Sequence, residues 1–534
     1  MNVFRHLAIF PFTQPMRFAV ALVLFTLLGW VAGCGQETGS TDGTRPGRII
    51  LVSMDTVRAD HVSGYGVRET TPTLAEIAAE GVLLRSFYAA SSYTLPSHMS
   101  IFTGLDPGEH GVIRDEAELN PGVPTLPEIL EKAGYETAAF HEGGYVSPRY
   151  GFARGFGSYR ELPRLAAVEG ALPDILSWLR SHRAKPYFVF IHTYAAHYPY
   201  GGWDRYREDA GEGRGLPDRA EIEGLRARWH GAHARRIEGR APEDVPEEQR
   251  RFCTLYNQLS ETHAQILGCG DNFLSEEASG SPYGRQDLEA VATSYDTRIA
   301  KIDRALGEIR RVLVDLGQWE DTLLIVTADH GEAFLEHGES QHDYNPFNEV
   351  IKVPAVVSYP RVLRGGPVRI VEEATWHLDL MPTILGLSGL DVPADLKGMD
   401  LTPALMGEER ISGDRVVHPA ILRLAHREAR PMRRVAVGGS MKFVEGDAHF
   451  GDDEGLLFDL SRDPGEVENL RSRRPEVFRK LSQSADLWQR SLTPRPPIHQ
   501  QTGRFLPTDS NVPVPPAELS AADREKLREL GYAD

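Results

Sequence analysis

Three runs of consecutive apolar residues, Ile49-Ile50-Leu51-Val52, Tyr187-Phe188-Val189-Phe190-Ile191 and Leu323-Leu324-Ile325-Val326, constrain the fold of this chain more than any other feature. A strand with one face in water alternates apolar and polar residues, so uninterrupted runs read as strands covered on both faces. Segments of helical character separate them. Thr73-Leu74-Ala75-Glu76 reads as a capping box opening a helix that Gly81 closes, and Thr125-Leu126-Pro127-Glu128 repeats the device ahead of Gly134. Thr137 to Phe140 then reads as a strand. Leu288, Val291, Tyr295, Ile299, Ile302, Leu306, Ile309 and Leu313 recur at three- and four-residue spacing, which predicts a long amphipathic helix from Asp287 to Leu316. Such alternation specifies an α/β sandwich with a mostly parallel central sheet. No internal repeat is visible.

The 534 residues, 41% hydrophobic and 25% charged, describe a globular chain with room for more than one structural unit. A formal net charge of −18 argues against a generic nucleic-acid partner, which calls for a basic face. It does not argue against a small anionic substrate, because metal ions and local His or Arg reverse the field inside a pocket. Nothing in the sequence sets the oligomeric state.

At the N-terminus, Arg5, His6 and Arg17 precede an apolar run from Phe18 to Val31 that ends Val31-Ala32-Gly33-Cys34. Residues 1–33 read as a signal peptide with a positive n-region and a short h-region. The four-residue ending resembles a bacterial lipobox, which implies cleavage before Cys34 and lipidation of its thiol. The protein would then be exported and lipid-anchored to a bacterial membrane on its periplasmic or outer side. The alternative, an uncleaved anchor, is short of the ~20 residues that a span needs. Residues 34–47 are small and polar and suit a flexible tether. Cys253 and Cys269 are the remaining cysteines, either a disulfide of an exported protein or two buried free thiols.

A catalytic domain is read over residues 48–430. Within it, residues 199–283 hold many Arg, Glu, Gly and His and few apolar residues, as a variable insertion would; His230 and His233 there read as surface histidines. Residues 431–490 change to short strands, Met441 to Val444 and Leu456 to Leu460. Residues 491–534 form a Pro-rich tail closed by a short helix from Ala521 to Gly531.

Open α/β sheets bind their ligands beyond the carboxyl ends of the strands. The first apolar run leads to Asp55, the second to His192 and then His197, and the third to Ala328-Asp329-His330-Gly331-Glu332. A lone Asp-His-Gly is usually a turn; acids and imidazoles at three strand ends together make a metal or anion site. Between the runs stands Thr94-Leu95-Pro96-Ser97-His98. Taken alone, Thr94 reads as the cap of a helix beginning near Pro96. The same position also suits a hydroxyl nucleophile, since a helix N-terminus favours an anion.

These segments resemble the sulfatase family of the alkaline phosphatase superfamily. Asp55-Thr56-Val57-Arg58-Ala59-Asp60-His61, with Gly64-Tyr65-Gly66, is similar to the opening motif, and Thr94 to Gly104 to the nucleophile segment. His197-Tyr198-Pro199-Tyr200, Tyr295-Asp296 through Asp303, Asp329-His330-Gly331-Glu332 with Glu336-His337-Gly338, Asp379-Leu380-Met381-Pro382-Thr383, and Asp463-Pro464-Gly465-Glu466 with Asn469-Leu470 extend the likeness to about Trp488. The resemblance implies an alkaline phosphatase/sulfatase-like sandwich with a small C-terminal α+β subdomain built on an antiparallel sheet. It implies that Asp55, Asp329 and His330, completed by the Thr94 oxygen, bind a divalent metal ion. His342, twelve residues after His330, has a spacing that resembles the headgroup transferases of the superfamily, where this histidine contacts the phosphate or a second metal; with His197 sharing the task, both become candidate catalytic groups beside Thr94, the alternative being that His342 is an idle loop residue. His98, Arg58 and His192 become candidates for holding the substrate anion.

The sequence also departs from the family. Sulfatases carry a Cys or Ser that is converted to formylglycine, with an Arg four positions on; here those positions are Thr94 and His98. The same oxidation of a threonine would leave a ketone, so no formylglycine is expected. Many sulfatases have a second Asp where this chain has Thr56, and losing that oxygen shifts the expected metal from calcium towards zinc or manganese. The expected function is therefore metal-dependent hydrolysis of a phosphoric ester, mono- or diester, or of a phosphonate, through a covalent intermediate on Thr94. The alternatives are a sulfuric ester hydrolase without formylglycine, a phosphoryl headgroup transferase, and a non-catalytic binding protein that has kept the fold. The expected partners are a small anionic ester and, through the lipid anchor, a membrane. The lipobox reading is checked by expressing Cys34→Ser in a bacterium fed a labelled fatty acid: the label should be lost and the precursor should stay uncleaved.

Overall fold

The centre of the molecule is the strand β1 (Arg48–Met54), whose residues from Ile49 to Met54 are at most 2% exposed. The computed structural model describes residues 45–506 apart from 67, 163–166, 198–284, 335, 338–339, 343, 368, 423–431 and 447–452. Cys34, the insertion with His230 and His233, Cys253, Cys269, Tyr198 to Tyr200 and the terminal helix lie outside the described residues.

After β1 come α1 (Pro72–Ala79), β2 (Val82–Leu84), α2 (Thr94–Thr103), α3 (Leu126–Lys132), β3 (Glu136–His141), β4 (Ser158–Glu161), α4 (Ala167–Ser181) and β5 (Tyr187–Thr193). The long helix α5 (Arg285–Asp315) leads to β6 (Thr322–Thr327), β7 (Ala355–Ser358) and β8 (Ile370–Val371). The strands form one eight-stranded sheet in the order β8-β2-β7-β6-β1-β5-β3-β4. Every pairing is parallel except those of β7, which runs antiparallel to both β6 and β2. All three apolar runs are strands, and they lie side by side as β6, β1 and β5 because only the sheet centre is covered on both faces. The helix α5 buries Tyr295, Ile299, Ile302, Leu306, Ile309 and Leu313, none more than 3% exposed, as their spacing requires.

Local signals were realised unevenly. Thr125 and Glu128 form the reciprocal capping box at α3, with Glu128 Oε2 accepting from Thr125 N at 2.9 Å. The box expected at Thr73 does not form. Pro72 is preorganised for a first helical turn and needs no acceptor, so α1 starts before Thr73. The amides of Thr73 and Leu74 are instead taken by Asp303 of α5, at 2.9 and 2.8 Å.

Beyond α6 (Leu380–Leu387), a five-stranded antiparallel sheet is built on β9 (Arg433–Gly438), β10 (Met441–Val444) and β11 (Leu456–Asp459), with Val416–Val417 and Ala420–Ile421 both paired to β9. The helix α7 (Pro475–Ser491) covers it through Leu481 and Ala485 against Ala436, Phe443 and Leu457. The Pro-rich segment is less irregular than expected: Ile498 and His499 pair antiparallel with Glu118 and Ala117. Among the described residues no helix is long and apolar enough to cross a membrane. Asp303 replaces a helix cap from a distant part of the chain, so Asp303→Ala should cost about 1–2 kcal/mol in chemical denaturation, with an unchanged denaturant slope.

Candidate active site

Parallel pairing sets Ser53 of β1 level with His192 of β5 and Thr327 of β6, so the chain segments leaving these strands emerge at one height. Asp55 follows β1 and is tied back by its amide to the Thr193 carbonyl at 3.1 Å. Asp329 and His330 follow β6. Together Asp55, Asp329 and His330 place ligand atoms within 4.8 Å of one another, and all three residues are fully buried.

Their charges do not balance. Burial and the neighbouring Asp329 carboxylate push the Asp55 carboxyl well above the usual range. Burial works against the charge of Asp329 too, but His330, His98 and His192 outweigh it and hold Asp329 below that range. Neither Asp55 Oδ1 nor Asp329 Oδ2 receives a hydrogen bond. Two buried carboxylates with bare oxygens and an imidazole form a donor set that fits a divalent cation. His330 Nδ1 is 3.0 Å from the Gly331 carbonyl; donating there, it leaves Nε2 as the lone-pair nitrogen facing the cluster.

Thr94 is the first residue of α2, not a cap before it. The capping position is Tyr93, extended at φ −144° and ψ 143°, and no side chain caps this helix. The Thr94 hydroxyl is spent elsewhere: Oγ1 lies 3.1 Å from His330 Nε2 and 3.5 Å from Asp55 Oδ2. The helix therefore points its positive end, and the hydroxyl with it, at the acid cluster.

His342 reaches this cluster, and His197 packs against His342. The His342 ring centre is 4.4 Å from that of His330 and 5.2 Å from that of His197, and its Nδ1 is 3.1 Å from Glu332 Oε1. Glu332 is fully buried, so it fixes the orientation of that ring. His192 Nε2 lies 3.2 Å from Asp55 Oδ2, and burial pushes its pKa well below normal.

Two expected anion contacts look elsewhere. His98 is fully buried with its ring nitrogens 2.9 Å from the Thr94 carbonyl and 2.9 Å from Ser53 Oγ, and burial lowers its pKa. It braces the backbone of Thr94 from beneath rather than serving as a substrate contact. The Arg58 guanidinium is claimed by Asp60, Glu336 and the Glu332 carbonyl, and it lies over the Phe334 ring at 5.3 Å. Those carboxylates neutralise it. Thr56 does not replace the missing ligand either: its Oγ1 donates to the Asp55 carbonyl at 2.7 Å. Its left-handed backbone, φ 60°, instead turns its amide to Asp329 Oδ1 at 3.2 Å. Such a conformation in a β-branched residue is strained, and the Tyr295 hydroxyl holds it by donating to the Thr56 carbonyl at 2.6 Å.

Sequence reasoning assigned no role to Glu332, Glu142 or Tyr295. Glu142 accepts from Thr193 Oγ1 at 2.7 Å and from the Tyr194 amide at 3.2 Å. Its place just past β3 repeats the signal that exposed Asp55, Asp329 and His192, an ionisable residue at a strand's carboxyl end.

Comparison with known proteins gives this geometry a relation. The family model described as Sulfatase matches residues 48–390, and the model described as N-sulphoglucosamine sulphohydrolase, C-terminal, matches residues 336–489. An N-acetylglucosamine-6-O-sulfatase of Bacteroides thetaiotaomicron is 24% identical over 72% of this chain and 75% of its own length. A solved structure in complex with its substrate D-glucosamine-2-N,6-O-disulfate is similar with a TM-score of 0.63 at 20% identity, over 84% of this chain and 98% of the other. The phosphonate monoester hydrolase of Agrobacterium radiobacter follows with a TM-score of 0.60 at 21% identity, over 84% of this chain and 96% of the other. A chelator that strips a divalent ion should lower the thermal midpoint of the protein, and adding back the ion should restore it; in Asp55→Ala/Asp329→Ala neither treatment should shift the midpoint.

Proposed function

Since the chain belongs to the sulfatase family, whose members hydrolyse esters, we propose that it cleaves a small anionic ester with the Thr94 hydroxyl as nucleophile. The observation that carries this reading is the aim of that hydroxyl, which leaves its own helix uncapped and lies 3.1 Å from His330 Nε2. The relatives, most of them named as sulfatases, support a sulfuric ester ahead of the phosphorus ester that the nucleophile alone suggests. The phosphorus ester is the second reading, and Thr94 favours it. A formylglycine hydrate expels sulfate by collapsing to an aldehyde, whereas an ester formed on a threonine has no such exit and must be hydrolysed by water.

A divalent ion held by Asp55, Asp329 and His330 would lower the pKa of the Thr94 hydroxyl and draw charge from the ester oxygens. Thr94 Oγ1 loses its proton to water and bonds to the sulfur or phosphorus in line with the leaving group, and the bond from that atom to the alcohol oxygen breaks. The departing alkoxide takes a proton from His342 or His197. Glu332, behind His342 Nδ1, stabilises the protonated ring before that transfer. Water then attacks the covalent ester, giving up a proton to the same ring and releasing the oxyanion and the Thr94 oxygen, which regains its proton from water. An alcohol in place of that water would make the same site a transferase. The positive end of α2 favours the anion throughout. The lipidation at Cys34 belongs to the same proposal and would tether this site to a bacterial membrane.

Aryl sulfate, aryl phosphate, phosphodiester and phosphonate esters should be compared on one preparation beside two variants. Thr94→Ala should lose at least about 10³-fold in kcat on every ester that the native protein turns over, whereas Thr94→Ser should keep most of it. Faster turnover of the sulfate supports the first reading, and faster turnover of a phosphorus ester supports the second. Undiminished activity of Thr94→Ala would remove Thr94 from the mechanism.

A further inference from the structure

The Asp463-Pro464-Gly465-Glu466 segment takes no part in the chemistry above, yet Glu466 is among the most constrained residues of the C-terminal sheet region. It is 3% exposed, and its backbone is left-handed at φ 55°. Its carboxylate receives Lys442 Nζ at 2.6 Å and the Asn348 amide at 2.6 Å. Lys442 Nζ also donates to Asn348 Oδ1 at 3.2 Å, so three residues close a ring of contacts. On β10, Phe443 packs towards α7, whereas Val444 packs on the opposite face with Phe347 and Val350. Strand alternation puts Lys442 on the alternate face to Phe443, where it is fully buried with its ammonium 6.0 Å from the Phe347 ring centre. A lysine at a site suited to an apolar side chain carries a desolvation penalty that packing alone does not explain.

Asn348 opens the short helix Asn348–Ile351, and that helix grips the catalytic loop. Its Val350 and Glu349 carbonyls accept the amides of Gly331 and Glu332 at 2.6 and 2.9 Å, the two residues after His330. The approach needs a glycine, because a Cβ on Gly331 would lie 2.1 Å from the Glu349 carbonyl oxygen. Further along the loop, His337 Nδ1 is 2.8 Å from Glu349 Oε1. We propose that Glu466 and Lys442 are positioning residues of the ester-cleaving site: through Asn348 they fix the helix Asn348–Ile351, which in turn sets the loop carrying His330, Glu332 and His342. This assignment rests on the hydrolase reading for its catalytic meaning, but the mechanical link is measurable without any substrate.

The test uses the full chain with Lys442→Met and Glu466→Gln combined, which removes both charges and strands neither. Hydrogen exchange of peptides covering Gly331 and Glu332 should quicken at least about tenfold, with β1 and β6 unchanged. With the best ester found for the native protein, kcat should fall about 10- to 100-fold while KM moves little. Lys442→Arg, which keeps the charge, should retain both protection and turnover. Where the double variant does not fold, Asn348→Ala, which removes only the acceptor of Lys442, should quicken exchange in the same peptides. Unchanged protection in the folded variant, or equal loosening of β1 and β6, overturns the link. Native protein that cleaves no ester would defeat the hydrolase reading while the exchange result still decides the link.

Discussion

Two carboxylates that cannot both be charged in a dry cavity govern the rest of this molecule. Asp55 and Asp329 are both fully buried, and each displaces the titration of the other. Left to themselves they would share a proton, as like charges at close range do. Around them are histidines rather than guanidinium groups, and burial lowers the pKa of both His98 and His192. The nearest arginine among the opening-motif residues, Arg58, is neutralised by Asp60 and Glu336. Asp55, Asp329 and His330 are thus left as a ligand group that fits a divalent cation.

That arrangement depends on the sheet before it depends on any single contact. Parallel strands start together and end together, so the residues following β1, β5 and β6 are neighbours at one edge. Each of those strands is apolar through its middle because it is covered on both faces, and the polar residues that end the run mark where the sheet gives way to the site. The fold was legible for this reason, and so was most of the site. Asp55, His192, Asp329 and His330 could be read from their places after the runs, and the same rule applied to β3 would have found Glu142.

What the sequence did not reveal follows from partners far along the chain. Thr73 carries a capping signature, but Asp303, remote in sequence, takes its helix's free amides. His98 and Arg58 were expected to hold the substrate anion, yet Ser53 and the Thr94 carbonyl occupy the one, and Asp60 with Glu336 the other. Thr94 was ambiguous between a cap and a nucleophile because both uses place a hydroxyl at a helix N-terminus. The direction of its side chain, towards His330 and Asp55, rules out the cap. A spacing pattern records which residue types recur, and says nothing of which neighbour claims a donor first.

The departures from the sulfatase pattern form a consistent set. Thr56 in place of a second Asp removes one negative charge from the site, and a neutral His98 in place of an Arg removes one positive charge. The sum is unchanged, so the demand for a divalent ion survives both substitutions, while the number of oxygen ligands and the fixed cation beside the nucleophile are lost together. A formylglycine hydrate has a second hydroxyl for such a cation to hold; a threonine has one oxygen, already directed between His330 and Asp55. The brace under that oxygen need only fix the backbone that carries it, and the bond from the His98 ring to the Thr94 carbonyl does so without adding charge. The proposed divalent ion and the proposed threonine nucleophile therefore depend on the same side chains, Asp55 and His330, which both face the Thr94 oxygen.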